Sequence, residues 1–365
     1  MNVEEPPTSI TGVATSITAF VGTAPRGAVN TPVTVTSYDE YERAFGGLWL
    51  GSSLGFAVRD YFLNGGGTAI VVRVVGVDLG KRASGEGLWA LEKVESFDLL
   101  VIPSFASAPV DLSVMNEVAS YCQERRAIFV ADAPVGPTGD ISSAAPVEIG
   151  TAGGNVALYY PRLRLSNPLN GGAVEAFAAA GAVAGVIART DRERGVWTTP
   201  AGVHATLVGA PELTETLTSA DVERLAAGGV NCLRDIPGAG PVIWGARTLQ
   251  GGESRVSEWK YLSVRRTSLF IEKSLYGGTG WAVFEPNTEL LWARLRKMTG
   301  AFMDDLFQQG AFAGFTSQQA YFVRCDSETT TQADVDLGIV NITVGFAPIK
   351  PAEFVILQIR QKASG

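Results

Sequence analysis

Apolar positions along the chain alternate between two periods, and that alternation predicts a layered fold. Ile17–Val21 and Val33–Val35 read as strands. Leu54, Val58, Tyr61 and Phe62 fall at i, i+4, i+7 and i+8, one face of a helix that Asn64-Gly65 ends. Thr68–Val75 is β-branched and apolar on both faces, as a fully covered strand is. Strands at Asp98–Pro103, Ala127–Ala131 and Val156–Leu165 follow, with a helix at Asp111–Arg125 between the first two. Ala173–Ala188 reads as a small-residue helix that must pack closely against something, and Ser219–Ala227 as a helix with a cap-like start. Strands at Asn231–Ile236 and Val242–Thr248 flank the turn Pro237-Gly-Ala-Gly-Pro241. Such β/α alternation implies an open, layered α/β domain.

After Gly251-Gly252 come a helix around Arg266–Leu275 and a longer one from Asn287, the expected N-cap, to about Gln309. Strands at Ala320–Cys325 and Val340–Phe346 complete this part. The last apolar segment, Glu353–Arg360, is apolar on both faces: Phe354 and Ile356 on one, Val355, Leu357 and Ile359 on the other. Only five residues follow, so this strand needs a sheet to join and cover on both sides. Burying its five side chains contributes on the order of 7–15 kcal/mol, and ordering about eight residues costs roughly 8–16 kcal/mol. Pairing of one such arm is near balance and becomes firm when ladder hydrogen bonds and many neighbours add.

Composition narrows the function. Of 365 residues, 46% are hydrophobic and 18% charged, enough for two or three domains with sizeable cores. A net charge of −8 argues against nucleic-acid binding, which needs a basic footprint. Cys122, Cys232 and Cys325 are far apart with no CxxC pair and read as free thiols of a chain folded in a reducing cytoplasm. The N-terminus has neither a basic nor an apolar leader region, and no segment is long enough to span or insert in a bilayer.

The sequence does not assemble an active site. Gly51-Ser-Ser-Leu-Gly55 fits G-x-S-x-G, which would make Ser53 a nucleophile, with His204 the only histidine available as its base. The segment before it, Phe45–Trp49, is not a convincing strand, so the competing reading is a Gly-Ser turn that caps the helix from Leu54. A serine hydrolase using Ser53 and His204 therefore stands as the alternative function. One histidine without a cysteine pair cannot supply a zinc set. The Gly-rich stretches Gly150–Gly154 and Gly277–Gly280 lack the following Lys-Ser or Lys-Thr of a phosphate cradle. The expectation is no enzyme, no cofactor and no metal.

The remaining motifs run in order along nearly the whole chain. They are Ile10-Thr-Gly-Val-Ala-Thr-Ser16, Ala19-Phe-Val-Gly22, Leu54–Asp60 with Asn64-Gly-Gly-Gly67, Ala184–Asp191 with Arg194-Gly-Val-Trp197, and Asn231–Pro237 through Thr248. In the C-terminal third they are Tyr261–Arg266, Trp281-Ala-Val-Phe-Glu-Pro-Asn287, Gln332-Ala-Asp334, Val344–Pro348 and Lys350–Val355. Together they resemble the phage tail sheath protein family. Two departures stand out: only Val3-Glu4-Glu5 remains of the usual first strand, and the domains inserted into larger phage sheaths are missing. The chain looks like a compact sheath of an extracellular contractile injection system or small tail, and is a poorer match to the two-protein sheath of type VI secretion.

The resemblance implies a layered α/β outer domain plus a C-terminal α/β domain with exchanged terminal strands. The expected division is an N-terminal arm and first strand (1–20), an α/β sheath domain (21–250), a C-terminal sheath domain (251–352) and a C-terminal arm (353–365). It implies inter-subunit contacts through Val3, Glu4, Glu5, Phe354, Val355, Ile356, Leu357 and Ile359. The basic cluster Arg294, Arg296 and Lys297 would face an inner tube, although a solvated helix face accounts for a short charge run equally well. Implied partners are other copies of the chain, sheath paralogues, the inner tube protein, and baseplate and terminator proteins. Assembly is expected in a bacterial cytoplasm, and the product is a virion tail or a released contractile particle.

Overall fold

Along the strand Thr18–Thr23, Phe20 enters one hydrophobic core while Ala19 and Val21 enter another. The same split recurs at Val71 against Ile70 and Val72, and at Ala157 and Tyr159 against Val156 and Leu158. A period of two with both faces buried is the signature of a sheet covered on both sides.

The computed structural model describes residues 9–76, 79–104, 112–134, 150–252 and 257–353. Its strands are β1 (Thr18–Thr23), β2 (Val33–Val35), β3 (Ala69–Val74), β4 (Leu99–Val101), β5 (Ile128–Asp132), β6 (Val156–Tyr160), β7 (Leu163–Asn167), β8 (Ala173–Phe177), β9 (Glu212–Leu213), β10 (Val230–Ile236), β11 (Gly240–Ile243), β12 (Tyr321–Arg324) and β13 (Thr343–Phe346). Its helices are α1 (Tyr38–Phe45), α2 (Leu54–Leu63), α3 (Leu112–Glu124), α4 (Ala180–Arg194), α5 (Ser219–Ala227), α6 (Leu262–Gly278), α7 (Glu289–Gln308), α8 (Ser317–Ala320) and α9 (Gln332–Asp336).

Eight strands form one sheet in the order β11-β10-β6-β5-β4-β1-β3-β2, parallel from β10 to β3 with an antiparallel strand at each edge. Helices α1, α2 and α4 supply the core on one face; α3, α5 and the short helix Gly87–Lys93 supply the other. Helix α4 is the small-residue helix expected from the sequence, and α2 is its close neighbour: a Cβ on Gly181 would lie 2.3 Å from the Ala57 carbonyl oxygen, and one on Gly185 would lie 2.4 Å from that of Tyr61.

Several elements differ from the sequence expectation. The single strand expected over Val156–Leu165 is broken at Tyr160-Pro161, so β6 stays in the large sheet while β7 joins a separate one, β8-β7-β9. The helix expected from Ala173 begins only at Ala180. Residues Ala173–Phe177 pair antiparallel with β7 across a turn in which Gly171 and Gly172 take positive φ, and that ladder overrides their helix propensity. Helix α5 is capped by Thr218 in a capping box with Asp221, one residue before the expected start. Thr288, not Asn287, holds the N-cap position of α7. Asn287 bridges instead, accepting from Trp292 Nε1 at 2.7 Å and donating to the Ile339 carbonyl.

Helix α6 spans two cores: Leu262 and Leu269 belong to the sheet core, whereas Ile271 packs with Met298, Phe302, Met303 and Leu306 of α7. The same C-terminal cluster takes in Ile10 and the inward residues of β12 and β13.

Candidate assembly surfaces

Ser53 is buried, and its Oγ donates to the Pro103 carbonyl at 2.9 Å. Ser53 makes no side-chain cap; within the expected Gly-Ser turn it is Ser52 whose Oγ accepts from Leu54 N at the start of the helix. His204 is exposed and lines a groove of about 810 Å³ that Ser53 does not line. The two residues therefore lack the nucleophile–base contact that a hydrolase requires. Among the described residues no cluster of His, Cys, Asp or Glu could hold a metal ion, and no helix is long and apolar enough to cross a membrane.

The two ends of the described chain are held near opposite ends of one helix. On the N-terminal side, Arg266 of α6 donates to the Thr15 carbonyl and to both oxygens of Asp191, and Thr15 Oγ1 donates to the same carboxylate. The Arg266 and Asp191 side chains are each 3% exposed. Farther along α6, Val13 N donates to Ser274 Oγ, and Ile10 lies against Gly278. On the C-terminal side, Arg247, Lys260 and Tyr261 converge on Glu353, just before α6 begins. Residues 9–15 thus run along α6 to its C-terminal end, and the chain reaches residue 353 beside its N-terminal end. Asp191, Tyr261, Arg266 and Glu353 fall within the sequence motifs above, but their pairing is not readable from the motifs. For Asp191 and Arg266 the available signal was a charged side chain inside an otherwise apolar helix, which must find a partner when buried; Arg247 and Glu353 lie outside helices and give no such signal.

Beside the Ile10 contact lies the antiparallel pair β12–β13. Among the described residues each of these strands keeps an unpaired edge. The expected contact residues Val3, Glu4, Glu5, Phe354, Val355, Ile356, Leu357 and Ile359 lie outside the described residues.

The structure separates the basic cluster on α7. Arg294 stacks over the Trp281 ring at 4.2 Å. Arg296 donates to the Cys325 carbonyl and pairs with Glu289 at 3.2 Å, which ties the helix to the end of β12. Lys297 is exposed. Two of the three cations therefore hold local structure as well as charge.

Comparisons with known proteins agree on one family. The phage tail sheath protein central domain matches residues 80–249, and the phage tail sheath C-terminal domain matches residues 254–362. A prophage major tail sheath protein of Pseudomonas aeruginosa (strain UCBPP-PA14) is 27% identical over 343 residues, 89% of this chain and 84% of its own length. The helical sheath of the anti-feeding prophage in its contracted state superposes with a TM-score of 0.82 at 29% identity, covering 99% of this chain and 98% of that one. The PVC sheath complex of an extracellular contractile injection system, also contracted, gives 0.81 at 27% identity, covering 100% and 96%. With two successive domains matched and whole-length likeness to sheath subunits, the chain belongs to the phage tail sheath family and is a sheath subunit of the contractile-system type.

Proposed function

We propose that copies of this chain polymerise as a helical cylinder around an inner tube, and that shortening of the cylinder drives the tube through a target envelope. The observation that carries this reading is the β12–β13 pair. Two strands alone are marginal in water, and two open edges invite strands from elsewhere. Ile10, the second residue of the described chain, packs in the core shared with that pair. The apolar segment 354–360 would supply a strand to a sheet of a neighbouring copy. Relatives solved as contracted sheaths support the same reading.

The work is mechanical and non-catalytic in this reading. Energy is stored at assembly in strained interfaces, since no nucleotide motif is present. Exposed Lys297, with Arg294 beside it on α7, would meet an acidic inner tube, and baseplate and terminator proteins would close the cylinder's ends. Assembly would take place in a bacterial cytoplasm, giving a virion tail or a released particle.

Negative-stain microscopy of particles containing the chain tests this directly, with hollow cylinders around a separate tube as the expected result. Deleting residues 354–365 should leave a folded monomer that forms no cylinder. An unfolded deletion variant, with engineered cysteines crosslinking only within one chain, would sink the strand-lending mechanism. Ser53→Ala should leave assembly unchanged and remove no hydrolase activity.

A further inference from the structure

The loop joining α6 to α7 presents Phe284 to water completely, at 102% relative exposure, and holds it at φ 73°. A bulky aromatic residue is strained in the left-handed region, and water solvates its ring poorly. Such a combination persists where a side chain is being presented to something. Its neighbours Val283, Glu285 and Pro286 are exposed too, so the tip is an apolar knob bearing one carboxylate. Among the described residues no cation forms an ion pair with Glu285.

The groove that His204 lines has the complementary character. Trp197, Trp244 and Val203 form its apolar wall, and Arg234 stacks over Trp244 at 5.7 Å, with Arg194 also on the lining. Three arginines face two glutamates there, and one of those acids, Glu353, is already paired to Arg247. The subunit does not fill this groove with its own knob. Tyr261, which lines the groove, immediately precedes α6, whereas Phe284 follows that helix's other end, about 25 Å away at ~1.5 Å per residue.

We propose that the Phe284 knob of one subunit seats in this groove of a second copy of the chain, with Glu285 facing Arg234 and Arg194. Knob and groove are different surfaces, so the contact is heterologous and repeats without closing on itself, the contact type that builds open helical assemblies. An aromatic anchor seated in an apolar pocket with a charge pair at its rim is also the usual anatomy of a binding hot spot. The choice of a second copy as occupant rests on the sheath reading.

The test uses the full chain carrying Val203→Cys together with Val283→Cys, both at exposed positions. The purified protein is oxidised and run on a non-reducing gel, and the same sample is imaged. A ladder of covalent multimers is expected from the double variant, with nothing beyond dimer from either single variant. A ladder without cylinders supports the knob-and-groove contact while sinking the sheath reading. Absence of a ladder overturns the contact whatever the microscope shows, and leaves the sheath reading intact if cylinders form. As a second arm, Glu285→Arg and Arg234→Glu should each reduce assembly by roughly tenfold, and the two combined should recover most of it. A combination no better than the single variants, or normal assembly by Phe284→Ala, counts against the proposal.

Discussion

Glu353 and Arg247 form a two-point ion pair: Nε donates to one carboxylate oxygen at 2.6 Å and Nη2 to the other at 2.8 Å. Arg247 is otherwise held by the carbonyls of Ala226 and Gly251, so the pair fastens the C-terminal end of the described chain to the large sheet's periphery. Burial pushes the Glu353 carboxyl up, but the Arg247 hydrogen bonds and charge outweigh it and hold the group below its ordinary value. A depressed carboxylate contributes stability that is whole above the unfolded value, about 4.3, and is lost as pH falls through the folded one. Amide protection of Thr248 and Gly251, whose N–H groups donate to Lys260 and Thr248 beside the pair, corrected for intrinsic exchange, should therefore fall in acid. Glu353→Gln should weaken protection at neutral pH and remove the acid dependence. Equal wild-type protection at pH 3 and pH 7 would contradict this.

The contact between α4 and α2 has no room for a side chain at Gly185. Gly185→Ala improves helix propensity by about 1 kcal/mol, yet its methyl would meet the Tyr61 carbonyl and Asn64. The clash should dominate and lower stability by about 1–3 kcal/mol. Gly300→Ala in α7, where a Cβ meets nothing within 4 Å, should be neutral or stabilising. Thermal unfolding of the pair checks both signs, and a Tm for Gly185→Ala at or above wild type would refute the packing argument.

Asp191→Asn should be far more costly than its size suggests. It strands the buried Arg266 guanidinium without its counter-charge, a change typically worth about 3–5 kcal/mol. The double replacement Asp191→Leu with Arg266→Met should cost less than Asp191→Asn alone, because no charge is then left buried. Denaturant unfolding gives the comparison, and additive losses would show that the two groups are not coupled.

On α7, Lys297→Glu should weaken sheath–tube attachment most at low salt, since exposed charge pairs are screened as ionic strength rises. Arg296 is a poor probe, because its replacement also frees the Cys325 carbonyl. Extended particles of normal stability from Lys297→Glu with Arg294→Glu would show that this face meets only water.

The sheet was legible where side-chain period and length agree. Thr68–Val75 reads as a covered strand and forms β3, and the small residues of Ala180–Ala188 announce a tight helix contact that Gly181 and Gly185 provide. The miscast segment was Ala173–Phe177, whose alanines favour a helix locally but pair with β7 through a ladder set by tertiary context. The anchors at Asp191, Arg266, Arg247 and Glu353 were illegible for a different reason. Sequence separations of 75 and 106 residues carry no period, and a charge, in a helix or outside one, does not declare its partner. Phe284 lies in the Trp281–Asn287 motif, but neither its positive φ nor its full exposure can be read from the residue type.

The N-terminal anchor also has a temporal side. Thr15 and Val13 find their partners at Arg266 and Ser274, 251 and 261 residues later in the chain. Arg266 and Ser274 are therefore made long after the segment they hold, and contacts of such separation are slow to close. Until then Val13 N and the Thr15 carbonyl lack these partners, although Thr15 Oγ1 can already reach Asp191. Docking of residues 13–15 onto α6 is thus a late event of folding, however early those residues are made.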